Sequence, residues 1–273
     1  MDQANRDYGK ALARAFGGAL LFALPLLMTM EMWWLGGFAI DRVRLLIFLI
    51  VSLPMLLGLS YYAGFEPTFR LRDELLDALA AFAVGFVVST LMLILFGVLK
   101  LDLTSTEMAG KIAVTTAPAA IGALLAGKQF GTRDLQDTQE RERAGFFGAL
   151  FLMSVGAIFL AFNIAPTEEV MLISYMMTPG HAVALIAASL LVLHGFVYAL
   201  GFRGQDRRQG DGGLGATFLR YTLPGYAISL VISLYCLWTF GRLDGVALHE
   251  QATMAVVLGF PAALGAATAR LVT

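Results

Sequence analysis

Long apolar stretches alternate with short polar ones along this chain, and the apolar stretches set its architecture. Eight of them run over about 14–38, 41–64, 75–99, 107–127, 145–171, 178–202, 217–240 and 250–271. Each is close to the roughly 20 residues that a helix needs to cross the hydrocarbon layer of a bilayer. Backbone polar groups in lipid must be satisfied within a helix or within a closed barrel. The stretches lack the two-residue alternation of barrel strands, so the pattern predicts eight helices and an all-α, polytopic transmembrane bundle.

Composition agrees and closes off other classes. Hydrophobic residues make up 58% of the chain and charged residues 14%, against about a quarter charged in soluble domains. The segment Met1 to Lys10 is polar, and the apolar run after it is too long for a secretory leader, so no cleaved signal is expected. The single cysteine, Cys236, lies inside an apolar span and has no partner for an internal disulfide. It reads as a small packing residue.

Net charge is only -1, but the basic residues are unevenly placed. One set of span ends carries Arg6, Lys10, Arg14, Arg70, Arg72, Lys128, Arg133, Arg141, Arg143, Arg203, Arg207, Arg208, Arg220 and Arg270. The other carries Arg42, Arg44, Lys100 and Arg242. Because Lys and Arg are retained on the cytoplasmic side, both termini are expected there, in the inner membrane of a bacterial cell. These charges sit in short juxtamembrane loops and make no case for nucleic-acid binding.

The two halves resemble each other. Ser52-Leu53, Gly58, Tyr61 and Gly64-Phe65 recur as Ser189-Leu190, Gly195, Tyr198 and Gly201-Phe202, a shift of 137 positions that also carries Glu31 onto Glu168. Pro118-Ala119-Ala120-Ile121-Gly122-Ala123 recurs 143 positions later as Pro261-Ala262-Ala263-Leu264-Gly265-Ala266, and the same shift carries Glu107 onto Glu250. Between them, Val87-Val88-Ser89 and Phe96-Gly97 echo Val231-Ile232-Ser233 and Phe240-Gly241. The sequence therefore predicts a four-helix repeat over 1–127, a cytoplasmic linker over 128–144 and a second four-helix repeat over 145–273. With an even number of spans per copy, the two insert in the same sense, and a pseudo-two-fold axis is expected along the membrane normal.

Carboxylates inside a bilayer are costly and usually functional, at about +2.5 kcal/mol or more at a helix centre. Glu31, ahead of Trp33 and Trp34, is the foremost candidate for binding a cation. Glu168 holds the equivalent place beside Glu169, just after Pro166-Thr167, where proline should break or kink the fifth span; a carboxylate there also suits a helix start. Glu107 and Glu250 open the fourth and eighth spans and read more readily as helix-start residues. Lys111, one turn after Glu107, could pair with it. With Asp41, Asp102 and Asp244, these acids fall on one side in the predicted topology and would form a mouth that concentrates cations.

Pro118 and Pro261 lie within their spans, where each frees the carbonyl four residues back, at Val114 and Val257. Such carbonyls could line a path; a packing kink is the plainer account. Ala119, Ala123 and Gly127, with Ala262 and Ala266 in the second copy, suit close helix contact, and spans four and eight are expected near the axis. His181, His194 and His249 have no metal-ligand spacing and read as packing or interface residues. His249, beside Glu250, could tune a pH response. A phosphate loop, a GxSxG elbow, a Cys-x-x-Cys pair and a potassium-filter sequence are all missing from the sequence.

The segment Thr29-Met30-Glu31-Met32-Trp33-Trp34-Leu35-Gly36, with the length and helix count, resembles a bacterial family of polytopic integral membrane proteins of unknown function. That resemblance implies the class and no mechanism. The residues lead to a small-cation channel or carrier with an outward acidic vestibule, in contact with the lipid bilayer, able to form a homo-oligomer and needing no cofactor. A non-transporting assembly or regulatory subunit is the alternative, and an outer-leaflet lipid-modifying enzyme a weaker one.

The charge asymmetry is directly testable. Single cysteines placed in 128–143 and 203–215, in a Cys236→Ser background, should resist an impermeant thiol reagent in intact cells; labelling without permeabilisation would reverse the orientation.

Overall fold

A computed structural model describes residues 3–63, 71–100, 102–129, 146–199 and 214–272. Most of the predicted linker, residues 130–144, and nearly all of 203–215 lie outside the described residues. Among those described, the regular structure is entirely helical. Eight helices are long and apolar enough to cross a membrane, which agrees with the hydropathy pattern.

The chain divides into two compact units, Met1–Arg133 and Asp134–Thr273. The first contains α1 (Gln3–Met28), the short α2 (Met30–Trp34), a π-helical turn (Leu35–Ala39), α3 (Arg42–Ala63), α4 (Leu71–Leu95) and α5 (Ser105–Gln129). The second contains α6 (Phe146–Ile164), the short α7 (Glu169–Met176) and α8 (Pro179–Ala199). A helical turn and a π-helical segment (Phe218–Thr222) then lead into α9 (Leu223–Thr239), and α10 (Leu248–Val272) completes it.

The first span ends earlier than hydropathy predicts, and the reason is local. Pro25 lies one turn before the break, and Thr29 turns its hydroxyl onto the Pro25 carbonyl at 2.7 Å. The Thr29 N–H takes the Leu26 carbonyl at 3.1 Å, and the chain leaves the helix with Thr29 at φ -84°, ψ 113°. The fifth span likewise stops at Ile164, before Pro166, and resumes as α7. A proline ring cannot continue the hydrogen-bond ladder; apolar content alone extends that span to residue 171.

In each unit the last long helix is the central one. α5 packs against α1, α3 and α4, and α10 against α6, α8 and α9. Small residues make this possible, because apolar helices in lipid gain little from burial alone and associate through close van der Waals contact. Ala119, Ala123, Ala262 and Ala266 are fully buried. A Cβ on Gly122 would lie 2.6 Å from the Phe22 Cβ and 2.8 Å from the Gly18 carbonyl oxygen, across the α1/α5 crossing. Gly265 is pressed against the Gly156 carbonyl at the α6/α10 crossing, with the Leu160 Cβ 3.1 Å from where its own Cβ would stand.

The helix ends also agree between units. α4 finishes with Gly97 at φ +68°, its N–H on the Ile94 carbonyl and that of Val98 on Leu93. α9 finishes with Gly241 at φ +71°, its N–H on the Trp238 carbonyl and that of Arg242 on Leu237. Both form the same left-handed C-terminal cap, for which glycine carries no side-chain penalty.

Gly122→Ala and Gly265→Ala should each lower thermal stability in detergent by the equivalent of about 1–3 kcal/mol, the usual effect of overpacking. Gly195→Ala, where a Cβ meets nothing within 4 Å, should be neutral or slightly stabilising. Equal melting temperatures for all three variants would refute the close-contact account.

Candidate functional site

In the first unit the sequence-predicted acid Glu31 sits in the first turn of α2, directly after the break at Thr29, and is half-buried. Met32 beside it is fully buried and Trp34 exposed. Among the described residues the Glu31 side chain makes no hydrogen bond or ion pair, while its backbone carbonyl accepts from the Leu35 N–H, which leaves the carboxylate oxygens available. The π-helical turn that follows lies close to α5: a Cβ on Gly36 would stand 2.9 Å from the Gly110 carbonyl oxygen, and one on Gly37 2.7 Å from the Lys111 Cε. Glycines at 36 and 37 therefore make room for backbone on one side and a lysine stem on the other. Lys111 is buried, and its ammonium stands 5.6 Å from the centre of the Trp33 ring, a favourable cation–π arrangement.

Glu107 serves the start of α5. The Thr104 N–H donates to its Oε2 at 3.2 Å and the Glu107 N–H to the Thr104 Oγ1 at 3.3 Å, the reciprocal arrangement of a capping box. Glu250, in the first turn of α10, lies 3.9 Å from the His249 Nε2. Pro118 and Pro261 are accommodated inside continuous helices, α5 and α10.

In the second unit Glu168 and Glu169 are both exposed at the start of α7. The Arg242 guanidinium lies 3.9 Å from Glu168 and also donates to the Pro166 carbonyl. Arg242 is itself only 15% exposed and its Nε is buried without a partner. The glycine cap at 241 thus delivers an arginine to the loop that Pro166 creates, tying the ends of α6 and α9 together. Glu169 is held below its ordinary carboxyl pKa, first by the Thr167 hydroxyl and then by its own backbone N–H, with a smaller pull from Arg242. A depressed carboxyl adds stability above its unfolded pKa and loses it as pH falls; solvent makes the amount small here.

Two polar pairs, one buried and one part-buried, escaped the sequence reading. Ser60 on α3 donates to the Glu74 Oε2 on α4 at 2.7 Å, both side chains almost fully buried. Glu74 falls just before the span that hydropathy starts at 75, yet it lies at helical spacing from the buried Ala78, Ala81 and Gly85, a periodicity that could have found it. In the second unit the His194 Nδ1 is 2.9 Å from the Thr222 Oγ1, and Phe218 meets the imidazole edge-on. His181, by contrast, serves a helix start, with Nδ1 2.9 Å from the Thr178 Oγ1.

Residues 11–273 match the family described as "Putative integral membrane protein (DUF2391)". No curated protein and no solved structure matches the chain.

The Arg242 contacts separate two energies. Arg242→Ala should destabilise the second unit by about 1–3 kcal/mol, because the buried Pro166 carbonyl loses a donor. Glu168→Gln should alter stability by less than about 1 kcal/mol, as for an exposed ion pair. Thermal unfolding in detergent measures both, and equal losses would contradict this division.

Proposed function

We propose, for a chain that belongs to the DUF2391 family of integral membrane proteins, that it moves a small cation across the membrane, with Glu31 as its principal ligand. The observation that carries this reading is a half-buried carboxylate, free of protein partners among the described residues, placed where a membrane helix is interrupted. Discontinuous helices supply both side-chain and backbone ligands in transport proteins, and Glu31 follows directly on the first candidate span, which ends at Met28, where a carboxylate draws cations toward the end of that span. Hard oxygen ligands of this kind suit protons, sodium, potassium and calcium.

The reading includes two parallel four-helix repeats, cytoplasmic termini, an inner-membrane location and an acidic outer vestibule. The matched Phe-Gly caps and the central last helix of each unit support the repeat. Glu168 occupies the equivalent break in the second copy, but Arg242 stands beside it and competes with any cation. Glu169 and Glu250 then contribute to the field of the mouth, and Glu107 mainly to its helix cap. The transport role is thereby concentrated on Glu31.

Purified protein in liposomes should pass at least one of sodium, potassium, calcium or protons down a gradient. Glu31→Gln keeps the size and removes the charge, and should cut that flux by about tenfold or more, equivalent to roughly 1.4 kcal/mol. Glu168→Gln should cut it less. Wild-type protein that passes none of these ions would refute transport and favour an assembly role; full flux in Glu31→Gln would remove Glu31 from the path.

A further inference from the structure

Burying an ammonium is costly unless something offsets the water it leaves behind, and the first unit buries Lys111 to 4% exposure. Lys111 stands in the second turn of α5. Its ammonium lies 5.6 Å from the centre of the Trp33 ring, and its stem runs against Gly37, where a Cβ would stand 2.7 Å from the lysine Cε. Both contacts come from the interrupted segment that also carries Glu31. At the shifts of 137 and 143 that relate the halves, Trp33, Gly37 and Lys111 become Val170, Ser174 and Met254. All three are buried, and the Ser174 hydroxyl donates to the Met171 carbonyl within its own helix. There α7 packs on α10 as α2 and the π-helical turn pack on α5. Closing such a crossing therefore requires no lysine, and the first unit differs from the second at all three positions of this contact.

What a fixed positive charge does at this place follows from the acids around it. Residues 29–39 hold one acid, Glu31, and no base. Asp41 serves the start of α3, its Oδ1 accepting from the Val43 N–H at 2.7 Å, and Glu107 serves the cap of α5. A cation held at Glu31 therefore meets one carboxylate on its own segment and one ammonium packed against that segment. The work of stripping water from an ion grows with the square of its charge, whereas its attraction to a carboxylate grows only in proportion. Calcium sites answer this by gathering several carboxylates. A single acid opposed by an ammonium does the reverse, and the ammonium repels a divalent ion twice as strongly as a monovalent one.

We propose that Lys111 sets the ion charge that the Glu31 site accepts, admitting monovalent cations and rejecting divalent ones. It acts through its buried charge and is not a ligand. This rests on the reading of Glu31 as a cation ligand and narrows it: protons, sodium and potassium remain, and calcium does not.

The test uses full-length protein in liposomes that enclose an indicator for sodium, potassium, calcium or pH, under equal gradients. In wild-type protein the fastest monovalent cation should outpace calcium by about tenfold or more. Lys111→Met, which installs the residue of the second unit, and Lys111→Gln should each cut that ratio by about tenfold, the order expected for one unit charge acting through partly buried protein. A lysine that only packs would lower all fluxes together and leave the ratio as it was. Calcium passing wild-type protein as fast as any monovalent ion, an unchanged ratio in whichever variant folds, or failure of both variants to fold would overturn the role of Lys111 and leave the transport reading standing. Wild-type protein that passes none of the four ions would overturn both.

Discussion

The hydrocarbon layer offers no water to a backbone amide, and the rest of this structure follows from that constraint. Every spanning segment must close its own hydrogen bonds and is therefore a helix. Once helical, the segments gain little by exchanging lipid for one another, so cohesion depends on how closely their backbones approach. Gly122 against Gly18 and Phe22, and Gly265 against Gly156 and Leu160, are where that approach is closest between first and last helices. The central position of α5 and α10 follows from the small side chains they carry.

The same constraint governs the polar side chains. Thr115, Thr116, Ser154, Ser189, Ser229 and Ser233 turn back onto carbonyls of their own helices, the least demanding way to bury a hydroxyl. Ser60 with Glu74 and His194 with Thr222 reach between helices instead. The two units differ where their first spans are interrupted. In one, Thr29 ends the helix and exposes Glu31 to possible ligands; in the other, Arg242 occupies the Pro166 carbonyl and approaches Glu168. The two units thus interrupt their first spans in chemically unlike ways.

The spans were legible in the sequence because hydropathy integrates over some twenty residues and tolerates local exceptions. The interruption at Pro166 was legible too, since proline acts on its own helix. The break at Thr29 was not: it needs Pro25 and the threonine hydroxyl together, four residues apart. Glu107 could be assigned to a helix start from its position, but its reciprocal bonds with Thr104 needed the backbone geometry. Arg242 was least legible of all. Its partners lie 74 and 76 residues earlier in the chain, and only the folded second unit brings them within reach.

The central functional claim is that Glu31 is a cation ligand, and infrared difference spectroscopy of the purified protein reports on that group most directly. Adding the transported cation should shift carboxylate stretching bands in wild-type protein, and the shift should disappear in Glu31→Gln. A spectrum unchanged by cation, or a shift that survives the substitution intact, would contradict the assignment.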